Sequence, residues 1–306
     1  MQNSLRVGIT HGDYNGVGYE IIFKALAEDM MTDLMTPIVF GSSELAAATI
    51  RECGLEGLHF TRINSAADAR PGRINIVEAS LRQPTPTPGH PSKDAGEAAA
   101  LALEAGACAL ETGDIDVLVT APIDKNTIHS ESFPFTGHTE WLQSRFGGDE
   151  DRSLMVLFND EIRVALVTVH EPIAKVAGLI TKEAVHEKIK EFDASLRKDF
   201  GSDRPLIAVL GLNPHCGDSG LIGDEEQTAI IPAIEAAKEE GLLPFGPFAA
   251  DGFFASGAYK KFDGVLAMYH DQGLAPFKAL AGQSGVNFTA GLKIVRTSPD
   301  HGTAYD

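Results

Sequence analysis

Short apolar runs alternate along the chain with longer stretches in which apolar residues recur at helical spacing. The first pair is "LRVGIT" (5–10) and "VGYEIIFKALAEDM" (17–30), in which Ile21, Ile22, Leu26 and Met30 suit one helical face. The first half continues with strand-like runs at 36–41, 72–78 and 115–123 and helical stretches at 42–53 and 93–114. Strands that alternate with helices indicate an α/β fold with a mostly parallel sheet.

The second half repeats this alternation. Strand-like runs lie at 153–158, 162–170, 205–213 and 263–270, and helical stretches lie at 181–200 and 224–241. The proline-rich stretch "RQPTPTPGHPSKDAG" (82–96) is predicted to be an extended loop. We expect two α/β lobes with a cleft between them.

Composition and charge narrow the class of function. The formal net charge of −18 argues against nucleic acid as a partner, because its binding depends on basic patches. An anionic substrate would require a local concentration of positive charge. No stretch supplies the roughly 20 apolar residues of a membrane span. The absence of an apolar leader and the three widely spaced cysteines, too few and too scattered for a disulfide framework, favour the cytoplasm.

Three histidines follow apolar runs of the second half. His170, His215 and His270 are each predicted to close a strand, in "LVTVH", "LGLNPH" and "VLAMYH". Three imidazoles that converge at strand ends can hold a divalent ion and leave an open position for catalysis. Three unrelated turn histidines that cap loops would give the same spacing, so both interpretations remain open on the pattern alone.

The turn "GITHGDYNGVG" (8–18) has neither the G-x-G-x-x-G order nor the G-K-[ST] of a phosphate-binding loop. Its glycines Gly12, Gly16 and Gly18 are predicted to shape a strand-to-helix turn. Asp13 is either a functional carboxylate or an N-cap, and the composition of the turn favours the cap.

Three further stretches contain polar residues beside apolar ones. "FPFTGHTEWL" (133–142) presents His138 and Thr139, either as ligand contacts or within a capping sequence that opens a helix at Trp141. "TAPIDKNTI" (120–128) places Asp124 and Lys125 after a buried strand, as a surface turn or as charges that face a cleft. The third, "GVNFTAGLKIVRTSPDHGTAYD" (285–306), offers Asn287, Lys293, Arg296 and His301, although lone lysines and arginines usually lie on the solvated surface.

Taken in order, these motifs resemble the PdxA family, the 4-hydroxythreonine-4-phosphate dehydrogenases of vitamin B6 synthesis. The resemblance covers nearly the whole chain, in "GITHGDYNGVGYEII", "TAPIDK", "FTGHTEWL", "GLNPHCGD", "YHDQG" and "GVNFTAGLKIVRTSPDHGTA". It implies two α/β/α lobes similar to isocitrate and isopropylmalate dehydrogenases, with NAD or NADP bound without the glycine fingerprint. The implied lobes are residues 1–135 plus 280–306 on the cofactor side, and residues 136–279 for metal, substrate and dimerisation.

The resemblance also assigns roles to individual residues. It implies a divalent metal (Zn, Mg, Co, Mn or Ni) on His170, His215 and His270. The implied substrate contacts are His138, Thr139, Lys278, Asn287 and Arg296. His301, Gly302 and Thr303 are expected to face the cofactor, and Asp271 and Lys278 are the expected catalytic residues, Asp271 as the group that orients a ligand histidine. The family forms homodimers with a shared site, so one histidine is expected from the partner chain.

The implied reaction is oxidation of 4-phosphooxy-L-threonine at its secondary alcohol, followed by decarboxylation of the β-keto acid to 3-amino-2-oxopropyl phosphate. A dehydrogenase of another four-carbon phosphorylated hydroxy acid is the alternative. A phosphate acyltransferase-like enzyme is more distant, and a non-catalytic metal-dependent binding protein more distant still. Glu171 and "HCGDSGLIG" depart from the family pattern, and relatives are expected to continue past Asp306 into a further helix.

Overall fold

A sheet of mostly parallel strands with helices packed on it forms the framework of each of two units of the chain. The computed structural model describes residues 4–28, 30–79, 83–148 and 152–305. One unit comprises Met1–Phe146 and Lys293–Asp306, and the other comprises Gly147–Leu292. Every helix in the described part of the chain is too short or too polar to cross a membrane.

The first unit begins with a strand, a glycine-rich turn and a helix, as the sequence predicts. Its strands are β1 (Leu5–Thr10), β2 (Met35–Gly41), β3 (Phe60–Ile63), β4 (Ile74–Glu78), β5 (Val117–Thr120) and β12 (Arg296–Pro299). Its helices are α1 (Gly18–Leu26), α2 (Met31–Leu34), α3 (Ser43–Glu52), α4 (Lys93–Glu111), α5 (Lys125–Ile128) and α6 (His138–Phe146). The helix α3 is capped by Ser42, whose side chain accepts a hydrogen bond from the Leu45 N–H.

The sheet of the first unit has the order β3-β4-β2-β1-β5-β12, and its neighbouring strands are parallel. Thr10 and Thr120 pair at the carboxyl ends of β1 and β5. Loops that leave this edge of a parallel sheet are where ligands of α/β proteins collect. Two of the motifs singled out in the sequence, at 8–18 and 120–128, begin there.

The second unit contains the remaining elements. Its strands are β6 (Leu154–Phe158), β7 (Arg163–Leu166), β8 (Leu206–Leu210), β9 (Leu243–Phe248), β10 (Gly264–Ala267) and β11 (Val286–Ala290). Its helices are α7 (Ile173–Leu179), α8 (Lys182–Lys198), α9 (Ile231–Glu239), α10 (Ala250–Ala255) and α11 (His270–Ala281). A π-helical turn, Glu226–Ile230, leads directly into α9.

Its sheet has the order β11-β6-β7-β10-β8-β9. The neighbouring strands β7, β10, β8 and β9 are parallel. In contrast, β6 is antiparallel to both of its neighbours, β11 and β7. The predicted parallel sheet is therefore confirmed for most of the unit. The exception follows from the short link between β6 and β7, since a hairpin needs few residues and a parallel crossover needs a dozen or more.

Both faces of the second sheet are covered by helices. Val156, Val209 and Leu266 belong to one hydrophobic cluster, which also contains residues of α8 and α9. Their chain neighbours belong to another cluster, which contains residues of α10 and α11. Because successive residues of a strand point to opposite faces, this arrangement is an α/β/α sandwich, as predicted. In the first unit, the adjacent residues Ile38 and Val39 likewise belong to two different clusters.

Candidate active site

The residues that the resemblance implies divide between the two units. The first unit contains His138, Thr139, Arg296, His301, Gly302 and Thr303, and the second contains His170, His215, His270, Asp271, Lys278 and Asn287. The geometry within each unit shows which of these residues the fold brings together.

His170 and His270 lie close together in the second unit. They follow the paired parallel strands β7 and β10, in which Leu166 is opposite Ala267. The centroids of the two imidazole rings are 5.7 Å apart. The loops are joined beyond the strand ends, because the backbone N–H and the hydroxyl of Thr168 both donate to the Met268 carbonyl, at 3.1 and 2.8 Å.

The prediction that each apolar run ends on its histidine was wrong. The strands stop earlier, and the histidines lie four, five and three residues beyond the ends of β7, β8 and β10, at His170, His215 and His270. Between strand and histidine, backbone groups form hydrogen bonds outside the strand ladder. The Met268 backbone N–H, for example, donates to the Gln272 side-chain oxygen at 2.7 Å, and the Gln272 side-chain nitrogen donates to the Gly211 carbonyl at 2.6 Å.

His270 is the first residue of α11, and its side chain pairs with the next residue. The Nδ1 atom of His270 lies 2.7 Å from Oδ1 of Asp271. A carboxylate bound to one imidazole nitrogen fixes the tautomer and turns the other nitrogen toward a ligand. The geometry therefore suits the expected orienting role of Asp271, although the Asp271 side chain is itself largely exposed.

His215 lies on an unusual backbone segment. Residues 215–219 all have positive φ, between 43° and 75°, and only Gly217 among them is a glycine. His215, Asp251, Tyr269, Asp271 and Gln272 help to line a cavity of about 530 Å³ in the second unit. Across the ranges that the structure describes, there is no group of three or more His, Cys, Asp or Glu residues placed to hold a metal ion. The donor types suit a divalent ion, and two of the three histidines are adjacent.

The two remaining residues of the second unit lie on different elements. Lys278 is exposed in the last turn of α11. Asn287 lies in β11 opposite Leu157, and its buried side-chain oxygen has no hydrogen-bond partner among the residues described. A buried acceptor without a donor is rare in folded proteins and suits a residue that binds a ligand.

Arg296 is the most deeply buried cation among the predicted residues. It begins β12, and 2% of its surface is exposed. Its Nε and Nη2 atoms donate to the Thr120 hydroxyl at the end of β5, at 3.0 and 2.6 Å. Burial lowers the pKa of Arg296 to about 10, so the guanidinium keeps its charge at neutral pH.

His138 begins α6, so the alternative that places the helix start at Trp141 was wrong by three residues. Its Nε2 atom is buried and has no hydrogen-bond partner in the part of the chain that the structure describes. Burial, and then the charges of Arg296 and Lys125, hold the pKa of His138 well below its usual value. A neutral imidazole near two cations can donate to an anion, and Thr139 follows it on the same helix.

Lys125 lies near His138, and the family resemblance assigns it no site role. Asp124 caps the short helix α5 by accepting hydrogen bonds from the N–H groups of Asn126 and Thr127. A Cβ atom added to Gly137 would lie 3.8 Å from Cε of Lys125, which places the lysine beside the start of α6. The signal in the sequence was a charged pair directly after a buried strand.

The turn after β1 is held by the C-terminal segment of the first unit. The Val17 N–H donates to the Thr303 carbonyl at 3.0 Å, and a Cβ on Gly16 would lie only 2.4 Å from that oxygen. Asp13 is buried and accepts hydrogen bonds from the Asn15 N–H at 2.9 Å and from the Tyr305 hydroxyl at 2.9 Å. Burial raises the pKa of Asp13. Asp13 does not cap α1, whose N-cap is Val17, so the cap prediction was wrong.

The expected cofactor residues lie in this same C-terminal segment. His301 and Gly302 are exposed, and His301 Nδ1 lies 2.8 Å from the Gly302 carbonyl. Thr303 is half-buried against the glycine turn. The predicted turn-shaping role of the glycines is confirmed at Gly12, which has φ of +69° and leaves no room for a Cβ beside the Pro122 carbonyl.

Comparison with known proteins places this arrangement in a family. The sequence profile of "Pyridoxal phosphate biosynthetic protein PdxA" matches residues 33–306. A 4-hydroxythreonine-4-phosphate dehydrogenase of Bacteroides thetaiotaomicron is 50% identical over 305 residues, which are 100% of this chain and 83% of the relative. The crystal structure of a Klebsiella pneumoniae enzyme of that name matches with a TM-score of 0.84 and 32% identity, over 99% of this chain and 93% of the other. A terephthalate 1,2-cis-dihydrodiol dehydrogenase of Burkholderia xenovorans is more distant, with a TM-score of 0.63 and 26% identity over 99% of this chain and 91% of its own. The chain belongs to the PdxA family of pyridoxal phosphate biosynthetic proteins.

Proposed function

We propose that this protein oxidises 4-phosphooxy-L-threonine with NAD or NADP, and that the β-keto acid formed loses carbon dioxide to give 3-amino-2-oxopropyl phosphate. The observation that carries the proposal is the 50% identity, over the whole chain, to a 4-hydroxythreonine-4-phosphate dehydrogenase. The site residues support it, because His170, His215 and His270 can bind a divalent ion and Arg296 and Lys278 can bind the anionic groups of the substrate.

The anionic groups of the substrate need cations in a chain of net charge −18. Arg296 offers a buried guanidinium that stays charged, and His138 offers a buried ring nitrogen, Nε2, that has no hydrogen-bond partner among the described residues. Hydrogen bonds between charged donors and phosphate or carboxylate are about twice as strong as neutral ones. We assign Arg296, His138 and Thr139 to the substrate's anionic groups, with Lys278 and Asn287 as further contacts.

His170, His215 and His270 would hold a divalent ion, whose identity their imidazoles do not decide. When bound, such an ion supplies Lewis acidity at the substrate oxygen on which charge develops in both the oxidation and the decarboxylation. Asp271 accepts the Nδ1 proton of His270 and so keeps that ring in the tautomer that presents Nε2. This hydrogen bond supports the metal assignment independently of the family.

The nicotinamide cofactor, when bound, accepts the hydride from the carbinol carbon. His301, Gly302 and Thr303 are the residues proposed to contact it. Thr303 holds the turn after β1 through its carbonyl, while His301 and Gly302 remain exposed for a ligand. We further propose a homodimer in which the partner chain completes each site.

The decisive experiment is an assay of NADH or NADPH formation with 4-phosphooxy-L-threonine, with and without a chelator. We expect turnover that stops when the divalent ion is removed and returns when it is restored. His215→Ala should abolish turnover while circular dichroism stays unchanged. Full turnover in chelator would contradict the metal assignment, and no turnover with any nicotinamide cofactor would contradict the substrate assignment.

A related dehydrogenase activity is the second candidate. The 26% identity to a terephthalate 1,2-cis-dihydrodiol dehydrogenase indicates that this architecture accommodates different alcohols. The buried Arg296 and His138 favour a substrate that carries an anionic group. Comparing kcat/KM for 4-phosphooxy-L-threonine with that for other phosphorylated four-carbon hydroxy acids separates the two candidates.

A further inference from the structure

The backbone around His215 adopts a conformation that needs external support. Residues 215–219 are left-handed, and four of the five are not glycine. A non-glycine residue in this region costs about 1 kcal/mol or more, so such a run persists only where the surrounding structure enforces it. The segment bears one of the three histidines of the proposed metal site and forms part of the cavity wall.

Glu226 supplies that support from the first position of the π-helical turn. Its side chain is fully buried. Its Oε1 atom accepts hydrogen bonds from the backbone N–H groups of Leu212 and Asn213, at 2.8 and 2.7 Å. Its Oε2 atom accepts from the Asn213 side chain at 3.0 Å. The carboxylate therefore fixes the two residues that precede the turn of Pro214 and His215.

Two glycines make room for this carboxylate. A Cβ on Gly211 would lie 3.1 Å from Oε1 of Glu226, and a Cβ on Gly217 would lie 2.7 Å from Oε2. The chain thus approaches the carboxylate on both sides of His215, at Gly211 and at Gly217. A buried carboxylate is costly unless its oxygens are hydrogen-bonded, and here the bonds come from Leu212 and Asn213, which precede the left-handed segment.

We infer that Glu226 is a positioning residue, which holds the left-handed segment 215–219 in place and so sets the His215 imidazole in the cavity. The inference rests on the proposed function in that His215 is taken as a metal ligand. Glu226 does not reach the cavity, whose wall is formed by Leu212, Asn213, Pro214 and His215 on this side. Its effect is transmitted through the backbone of these residues.

Glu226→Gln tests the inference with little change in shape. The amide would turn an N–H₂ toward the Asn213 N–H₂, and Asn213 cannot rotate freely because Glu225 accepts from the same Asn213 nitrogen at 2.6 Å. Glu225→Gln is the matched control, since Glu225 contacts Asn213 but none of the backbone N–H groups that Glu226 holds. Calorimetric titration of the full chain with Co²⁺ measures the consequence at His215.

We expect Glu226→Gln to weaken Co²⁺ binding about 10- to 100-fold, the usual effect of losing a group that orients a metal ligand. Glu225→Gln should bind within about threefold of wild type. Unchanged Co²⁺ affinity in Glu226→Gln would overturn the inference. Ile234→Val in α9 serves as a stability control, because it weakens the core without touching the segment, and its Co²⁺ affinity should equal that of wild type.

Amide hydrogen exchange separates this inference from the metal assignment. In metal-free protein, Glu226→Gln should speed exchange at Leu212 and Asn213 at least tenfold more than at amides of α8, whereas Glu225→Gln should not. If wild type bound no Co²⁺, the metal assignment would fail, and the exchange rates would still decide whether Glu226 holds the segment. Equal exchange at Leu212 and Asn213 in wild type and Glu226→Gln would overturn the positioning role.

Discussion

Arg296 shows how one residue can meet the demand for positive charge in an acidic protein. Its guanidinium is buried, yet burial lowers its pKa only to about 10, so it remains a cation at neutral pH. Two of its nitrogens contact the Thr120 hydroxyl, which fixes the plane of the guanidinium. A fixed planar donor suits the paired oxygens of a phosphate or carboxylate.

Arg296→Lys should therefore lower kcat/KM for 4-phosphooxy-L-threonine by at least about tenfold, because a charge-assisted bond to a buried anion is worth roughly 1.5–3 kcal/mol. Lysine keeps the charge but cannot contact Thr120 and an anion in one plane. Steady-state kinetics measure the effect, and Arg197→Lys, at an exposed arginine paired with Asp193, is the control. Wild-type kcat/KM in Arg296→Lys would remove Arg296 from the substrate site.

His11 makes the stability of the first unit depend on pH. It is buried against the ring of Tyr19, and burial lowers its pKa to about 4. The unfolded chain binds a proton at His11 below a pH of about 6.5, whereas the folded chain does not until about pH 4. Stability due to His11 is thus complete above pH 6.5 and decreases by up to about 3 kcal/mol as the pH falls to 4.

His11→Phe keeps an aromatic ring at this position and removes the titration. Between pH 7.5 and pH 5, wild type should lose about 2 kcal/mol more unfolding free energy than the variant. Urea denaturation at the two pH values measures the difference. His59→Phe, at an exposed histidine, is the control and should follow wild type. Identical pH dependence in wild type and His11→Phe would contradict the burial argument.

At the scale of elements, α11 is the helix that the sequence pattern concealed. Its start, "HDQGLAPFK", contains Gly273 and Pro276, both poor helix formers, so the stretch reads as a polar turn. Gly273 is needed because the helix packs closely on β7. A Cβ there would lie 2.8 Å from Cδ2 of Leu166 and 2.9 Å from Cγ1 of Val164.

Gly273→Ala should destabilise the protein, because overpacking a core contact costs about 1–3 kcal/mol and outweighs the gain of up to about 1 kcal/mol in helix propensity. The same change at Gly178 in α7 should stabilise it, since no atom lies within 4 Å of the added Cβ. Thermal unfolding of the two variants against wild type measures both signs. A stabilising Gly273→Ala would show that α11 has room to move from β7.

Local periodicity predicted the elements that have a regular pattern and missed those that depend on tertiary contacts. The helices α4 and α8 and the strands β1 and β2 lie where the sequence places them. The strands β11 and β12 carry site residues, Asn287 and Arg296, and polar residues of this kind hide an alternating pattern. The left-handed backbone at His215 had no signal in the sequence either, because Glu226, which holds it, follows eleven residues later.

At the scale of the whole molecule, the arrangement of the three proposed metal ligands bears on assembly. His170 and His270 are neighbours within one chain, and across the ranges described no three His, Cys, Asp or Glu residues are placed to hold a metal ion. A partner chain that supplies the third ligand would complete the site. In the proposed homodimer, the His170 and His270 of one subunit would then act with His215 of the partner subunit.

Co-expression of His215→Ala with His270→Ala tests this assembly, because each variant alone should be inactive. If the ligands come from opposite chains, a hybrid dimer has one site that lacks both ligands and one intact site. Random pairing gives about half hybrids in a symmetric dimer, and thus roughly a quarter of wild-type activity per site. Co-expression of His170→Ala with His270→Ala is the control and should stay inactive, since both changes fall on the same pair of rings. Purification through two different affinity tags isolates the hybrids. If the hybrid of His215→Ala and His270→Ala is inactive, all three histidines belong to one chain and the shared site is ruled out.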